Sequence, residues 1–276
     1  MKGLILFAFT LTLVTLLSVG LYMSIAHGFK FSKTSFSYST SSSSRDTSFF
    51  GGDTESTDEI HQLSRDGSIS VETPNGTVTV TSHEKPEVLV KIIKEGDKND
   101  FPFISVKTTS NATSLSLETI YKKDSCNASI SYELVIPKSA TITTETVNGS
   151  IVITDVAGII KAKSTNGSLT FEKTPQLSSA KTTNGRIKVH ADSITAQSDT
   201  ISLKTTNGSI SFSAKKIETN KFSIKTTNGS ITLDLPHNLD HYRSDENSAS
   251  FSVDGKASFE IETTNGSISI KKHADF

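Results

Sequence analysis

The sequence predicts an all-β fold, a β-solenoid (β-helix) of about seven regular coils behind an irregular N-terminal β region. Three observations carry that prediction. Apolar and polar residues alternate from about residue 60 onward, the period of strands. No stretch after Ala26 sustains a helical period, and β-branched residues dominate there, as strands prefer. A seven-residue phrase built around Asn-Gly recurs along the second half of the chain.

Composition bounds the function before any motif does. The 276 residues carry 28 basic and 29 acidic side chains, a net charge of −1, so no global basic excess points to nucleic acid and none is expected as a partner. Trp is absent and there is 1 cysteine, which excludes a disulfide framework and a multi-cysteine metal site. Cys126 is therefore a free thiol or an intermolecular link.

The chain opens with Gly3–Ala26, 24 residues without a charge. At 1.5 Å per residue these would span roughly 36 Å, enough for a hydrocarbon core of about 30 Å. Residues 1–26 are read as a hydrophobic helix acting as signal anchor or signal peptide, with residues 4–26 as the membrane contact. Ser24-Ile25-Ala26 offers a small-x-small cleavage pattern. The expectation is export: a β domain tethered outside the cytosol, or secreted if the chain is cut after Ala26. Residues 27–59 are rich in Ser and Thr with Gly51-Gly52, and read as a stalk that buries too little apolar area to order itself.

Residues 60–140 alternate less regularly (Ser68-Ile69-Ser70-Val71, Thr77-Val78-Thr79-Val80, Val88-Leu89-Val90) and are expected to cap the stack. Residues 141–276 carry the array. The phrase starts at Glu145, Lys163, Lys181, Lys204, Lys225 and Glu262 and places Asn-Gly at Asn148, Asn166, Asn184, Asn207, Asn228 and Asn265. An outlying copy holds Asn75-Gly76. The spacings are 18, 18, 23, 21 and 37. Asn247 divides the last interval and is read as a degenerate copy, which brings the regular units to seven.

Two architectures fit an Asn-Gly repeat. In a type I′ hairpin both turn residues need φ > 0, and Leu203 would face Phe212 with Thr205 facing Ile210. In a solenoid each unit is one coil, and identical residues stack about 4.8 Å apart as ladders. A hairpin has no reason to keep Thr-Thr before the turn and Ser-Ile after it, whereas stacking does, so the solenoid is preferred. Its inward residues would be Ile201, Leu203, Ile210 and Phe212 in one coil, Phe222, Ile224, Ile231 and Leu233 in the next, and Phe259, Ile261, Ile268 and Ile270 in the last. Lys271 and Lys272 would guard the final edge.

Gly67-Ser68-Ile69-Ser70-Val71 with Asn75-Gly76-Thr77-Val78, then Tyr132-Glu133-Leu134-Val135-Ile136-Pro137 leading into the Asn-Gly-Ser-Ile array, resembles the putative adhesin family, the DUF4097-type β-strand repeat proteins of cell envelopes. The resemblance spans roughly residues 68–270. It implies a right-handed, single-stranded β-solenoid behind an N-terminal membrane segment and an adhesin-like role; it supplies no catalytic or binding residues.

Candidate sites follow from the array. Lys163, Lys181, Lys204 and Lys225 hold one place in four consecutive units, so in-register stacking aligns four ammonium groups. Like charges opposed on a sheet are destabilising, which makes the column a candidate for an anionic glycan or lipid surface; the bland reading is a solvated, aggregation-blocking edge. Eight N-x-S/T sequons occur, six of them Asn-Gly turns; Asn111 and Asn127, outside the array, are the candidate glycosylation acceptors. His237 and His241 with Asp234, Asp240 and Asp245 read as a solvated loop rather than a metal site. Nucleophile elbow, zinc helix, phosphate-loop and dinucleotide motifs are missing, and no paired carboxylates recur at the coil spacing. The expectation is a non-catalytic, cofactor-free surface protein binding polymer, membrane or an envelope protein. A carbohydrate-active lyase or hydrolase on the same scaffold, or a regulatory partner of an envelope membrane protein, stands as the alternative.

Overall fold

The computed structural model describes residues 52–272 except 196–199, 219, 236–238, 246 and 254–256. All of them belong to one contact-defined unit, 37–276. The hydrophobic segment 1–26 and residues 27–51 of the Ser/Thr-rich stretch lie outside the described residues. Among the described residues no helix is long and apolar enough to cross a membrane.

The chain is all-β. The first strands are β1 (Asp53–Gln62), β2 (Ser68–Asn75), β3 (Val78–His83) and β4 (Glu87–Gly96). A short 3-10 turn (Lys98–Phe103) leads to β5 (Ile104–Ser110), β6 (Ser114–Tyr121) and β7 (Ala128–Pro137). Strand pairs follow: β8 (Thr141–Asn148) with β9 (Ile151–Thr154), β10 (Ile160–Ser164) with β11 (Leu169–Glu172), and β12 (Leu177–Asn184) with β13 (Ile187–Ile194). Next come β14 (Thr200–Asn207) with β15 (Ile210–Ile217) and β16 (Asn220–Asn228) with β17 (Ile231–Leu235). The chain closes with β18 (Leu239–Ser244), β19 (Ser248–Val253), β20 (Ala257–Asn265) and β21 (Ile268–Lys272).

These strands form two large, mostly parallel sheets. The first has the order β1-β4-β7-β3-β9-β11-β13-β15-β17-β21, and the second β18-β19-β20-β16-β14-β12-β10-β8-β2-β6-β5. The two strands flanking each Asn-Gly therefore lie in different sheets, which removes the hairpin alternative: β14 and β15 are not paired with each other. Nor does the backbone take the hairpin conformation, because no corner Asn has positive φ.

Register is set residue for residue. Asn75 pairs with Asn148, Asn184 with Asn207, Asn207 with Asn228 and Asn228 with Asn265. The sequence count of stacked units is corrected at both ends. Asn75, read as an outlier, is the first member of the ladder, and β2–β3 stack directly on β8–β9. Asn247 is not a corner of the stack: β20 pairs straight onto β16, while β19 adds antiparallel to β20 and β18 antiparallel to β19, a hairpin at the sheet's end. The 37-residue interval is one repeat unit with an inserted hairpin. Seven Asn-Gly corners remain, a different seven from those counted in sequence.

At the other end β4 and β7 are antiparallel, as are β5 and β6, so the stack stops on mixed pairing. Asp53–Glu59, counted with the stalk in sequence, are strand. Cross-strand pairing of Glu55 with Lys94 and Asp58 with Lys91 favours that addition to β4.

The core is a thin layer between the sheets. Ile201, Leu203, Ile210, Phe212, Phe222, Ile224, Ile231 and Leu233 are all 0–1% exposed, as alternation predicts. Phe222, Phe259 and Phe251 stack with ring centroids 4.2 and 4.7 Å apart. Of the four residues named for the last coil, Phe259 and Ile261 are buried, whereas Ile268 and Ile270 are only partly buried, since β21 has a neighbour on one side only.

Two of the buried polar residues contrast with each other. Asp100 in the 3-10 turn accepts from the Asn127 amide (2.7 Å) and pairs with Lys123 (2.9 Å). The Asn127 bond and then Lys123 hold its carboxyl below the usual carboxylate range. The depressed value adds stability above the unfolded-state pKa that is lost as pH falls through the folded one. Asp100→Asn should therefore lower the melting temperature at neutral pH, and the gap to wild type should shrink as the solution is acidified below the carboxylate range. Thr144 has the opposite character, its hydroxyl being buried without a partner in a row between Val71 and Ala162. An unpaired buried hydroxyl costs about 1–3 kcal/mol, so Thr144→Val should stabilise by about 1 kcal/mol in denaturant titration.

Candidate functional site

Each Asn-Gly corner acts on the one before it. The Asn side chains form a single amide ladder in which Asn148 donates through Nδ2 to Oδ1 of Asn75 (2.7 Å) and Asn166 to Asn148 (2.8 Å). Asn184, Asn207, Asn228 and Asn265 continue it, each at 2.7 Å. The first Thr or Ser of each phrase is buried and donates to the preceding corner's glycine carbonyl: Ser164 to Gly149 (2.9 Å), Thr182 to Gly167 (2.9 Å), Thr205 to Gly185 (3.0 Å) and Thr226 to Gly208 (3.0 Å). That carbonyl lies where the next glycine's Cβ would be. A Cβ on Gly208 would stand 2.0 Å from the Gly185 oxygen, and one on Gly167 1.8 Å from the Gly149 oxygen. Thr, Asn and Gly are thus one unit of contact, which is why the phrase repeats as a block.

This register fixes the outer face of the second sheet. With Ile201, Leu203 and Thr205 inward on β14, Ser202, Lys204 and Thr206 face out. Lys163 stands opposite Lys181, Lys181 opposite Lys204, and Lys204 opposite Lys225. The four predicted residues do form one column. Its limits were not foreseen: Glu145 lies beside Lys163, Glu262 beside Lys225, and Glu72 and Glu118 continue beyond Glu145. The terminal lysines are ion-paired, Lys163 with Glu145, and Lys225 with Glu262 at 2.9 Å. The Glu262 hydrogen bond raises the Lys225 pKa. Lys181 and Lys204 have no ion pair among the described residues. Strands β10, β12, β14 and β16 contain no acidic residue, and also carry Lys161 and Lys221. Hydroxyl columns flank the lysines: Ser179, Ser202 and Ser223 on one side, Thr183, Thr206 and Thr227 on the other.

The remaining candidates stand apart from this face. Asn111 turns its Oδ1 onto the Thr113 and Ser114 amides, both at 2.8 Å, and Asn127 is exposed beside the Asp100 lock. Cys126 is a free, partly buried thiol packed against the core. Of the His/Asp loop, His237 lies outside the described residues, and Asp245 caps the turn through the Asn247 and Ser248 amides. Among the described residues no group of three or more His, Cys, Asp or Glu is placed to hold a metal.

No protein-family model matches the sequence, and no curated protein does. Solved structures are similar at low identity. A putative cell adhesion protein of Clostridium sporogenes is 13% identical, with 79% of this chain and 100% of that one covered and a TM-score of 0.35. A putative adhesin of Bacteroides fragilis is 12% identical, with 79% and 97% covered and a TM-score of 0.34. A putative lipid binding protein of Parabacteroides distasonis is 13% identical, with 82% and 99% covered and a TM-score of 0.29.

The corner unit can be tested apart from any ligand. Thr205→Val keeps shape but strips a donor from the Gly185 carbonyl and should cost about 1 kcal/mol. Gly208→Ala drives a Cβ into backbone that cannot yield, and should cost about 3 kcal/mol or more, the top of the overpacking range. Equal effects of the two in chemical denaturation would contradict the assignment.

Proposed function

We propose that this chain is a non-catalytic, adhesin-like surface protein whose stacked units form a right-handed β-solenoid of the DUF4097 type, and whose lysine column holds a linear anionic glycan. The hand follows the rule for parallel strands joined by a crossover, which is right-handed almost without exception. Export rests on residues 1–26, which would tether the β domain outside the cytosol or release it after cleavage.

The observation that carries the binding reading is the run of four register-matched lysines on strands without a single acid. Like charges one strand apart repel, and the central pair has no counter-ion among the described residues. An extended polyanion lying across the strands, along the stacking axis, relieves that repulsion at every step of about 4.8 Å. A glycan fits better than a bilayer because the column is narrow, ends at Glu145 and Glu262, and is lined on both sides by hydroxyls that can bond sugar hydroxyls.

The experiment is binding of the full chain to polygalacturonate, with phosphatidylglycerol vesicles as the comparison. Wild type should bind the polyuronate in a salt-sensitive way, and Lys→Ala at 163, 181, 204 and 225 together should weaken it by about tenfold or more. Unchanged affinity in the quadruple variant contradicts the lysine face; tighter binding to vesicles than to polyuronate contradicts the glycan.

A further inference from the structure

Six of the seven corners have a following corner stacked on them, and the last does not. Asn265 donates to Asn228, but no described residue donates to its own Oδ1, whereas Asn75 through Asn228 each accept from the next Asn. Backbone bonding adds a second restraint at four of these corners. The amides of Gly76, Gly185, Gly208 and Gly229 each donate to the next corner's Asn carbonyl at 2.9–3.1 Å, and Gly266 has no next corner to bond. The hairpin strand beside β20 ends its ladder at Glu262, and its last backbone bond, from the Thr263 amide to the Asn247 carbonyl (2.8 Å), still falls short of the corner. Gly266 is exposed, while the other six corner glycines are half-buried.

Asn-Gly is the residue pair with least steric hindrance to attack of the following amide nitrogen on the side-chain carbonyl. From these differences we infer that Asn265-Gly266 is a site of spontaneous deamidation, and that the ladder protects the other corners of the same sequence. The Gly266 nitrogen, having lost its proton to hydroxide or buffer base, bonds to Cγ of Asn265. The Cγ–Nδ2 bond breaks, and Nδ2 takes a proton and leaves as ammonia. The resulting succinimide adds one water and opens to Asp or isoAsp, so the net change is amide plus water to acid plus ammonia.

Attack needs two freedoms, a rotated Asn side chain and an unbonded glycine nitrogen. An interior corner must break its amide ladder on both sides to supply the first, and at Gly76, Gly185, Gly208 and Gly229 a backbone bond as well for the second. Asn265 has only its bond to Asn228 to break. Conversion also has a structural consequence. An Asp at 265 would set a carboxylate, which only accepts, against the Asn228 Oδ1, so the outermost rung opens and modification marks the terminal coil.

The test is peptide mapping by mass spectrometry of the full chain aged in mildly alkaline buffer, natively and in denaturant. In native buffer Asn265 should convert at least about tenfold faster than Asn184, Asn207 or Asn228, a difference of about 1.4 kcal/mol in barrier. In denaturant all Asn-Gly pairs should convert at comparable rates, since the ladder is gone. Interior corners converting as fast as Asn265 in native buffer would overturn the inference, as would an Asn265 that converts only in denaturant.

Discussion

The structure depends on one backbone contact repeated at every corner: the carbonyl of one glycine sits in the space a Cβ would occupy on the glycine of the next unit. No other residue permits that approach. Because the carbonyl is pinned there and also accepts from a buried Thr or Ser, neighbouring units meet in only one register. A slip of one residue would turn every side chain to the opposite face and lose the glycine contact together with the hydroxyl bond. The Asn ladder outside and the aliphatic layer inside follow from that fixed register rather than cause it. This division suits a chain with 34% hydrophobic residues, whose core is thin and whose specificity comes from polar contacts at the corner.

Once register is fixed, side chains have no freedom to avoid their equivalents above and below. Columns of like residues are then unavoidable, and their chemistry becomes the property of a whole face. In the core this yields stacked phenylalanines and aliphatics; on the outside it yields four lysines in line. The fold tolerates the unfavourable column because corner contacts, not surface charge, decide the pairing. The ends of the stack are handled differently: β1 closes the first sheet with a largely polar strand, and the second sheet is extended by the β18–β19 hairpin, whose pairing is interrupted between Asp240 and Arg243. Irregular edges of this kind discourage further strand addition.

Much of this was legible in the amino-acid sequence because the repeat writes its contacts in order. The Thr, Asn, Gly and following Ile of each phrase each have one physical task, so their recurrence exposes the stacking, the ladder and the inward positions. The lysine column was legible for the same reason. Its acidic limits were present too, since the phrase begins with Glu at 72, 145 and 262 and with Lys at the four places between, but their meaning needed the knowledge that Asn75 stacks on Asn148. Asn75 escaped because 72 residues, 76 to 147, separate it from Asn148, its neighbour in space, and sequence distance hides a contact that closes over a long insertion. Asn247 misled for a complementary reason: spacing alone placed it halfway along a double interval, yet it lacks the glycine the corner requires. The Asp100 lock has no periodic signature and could not be read from pattern at all.

The central claim is that equivalent corners follow one another at a single strand spacing with β20 placed directly on β16. Distances between spin labels test it most directly, with Cys126 first replaced by Ser and cysteines introduced in pairs at Glu145 with Lys204, Lys225 or Glu262. The three pairs are three, four and five strands apart, so separations should rise in equal steps, through about 14, 19 and 24 Å. A step from 225 to 262 twice the size of the one before would place an extra coil at Asn247, and distances that do not grow with strand number would contradict the stacked register altogether.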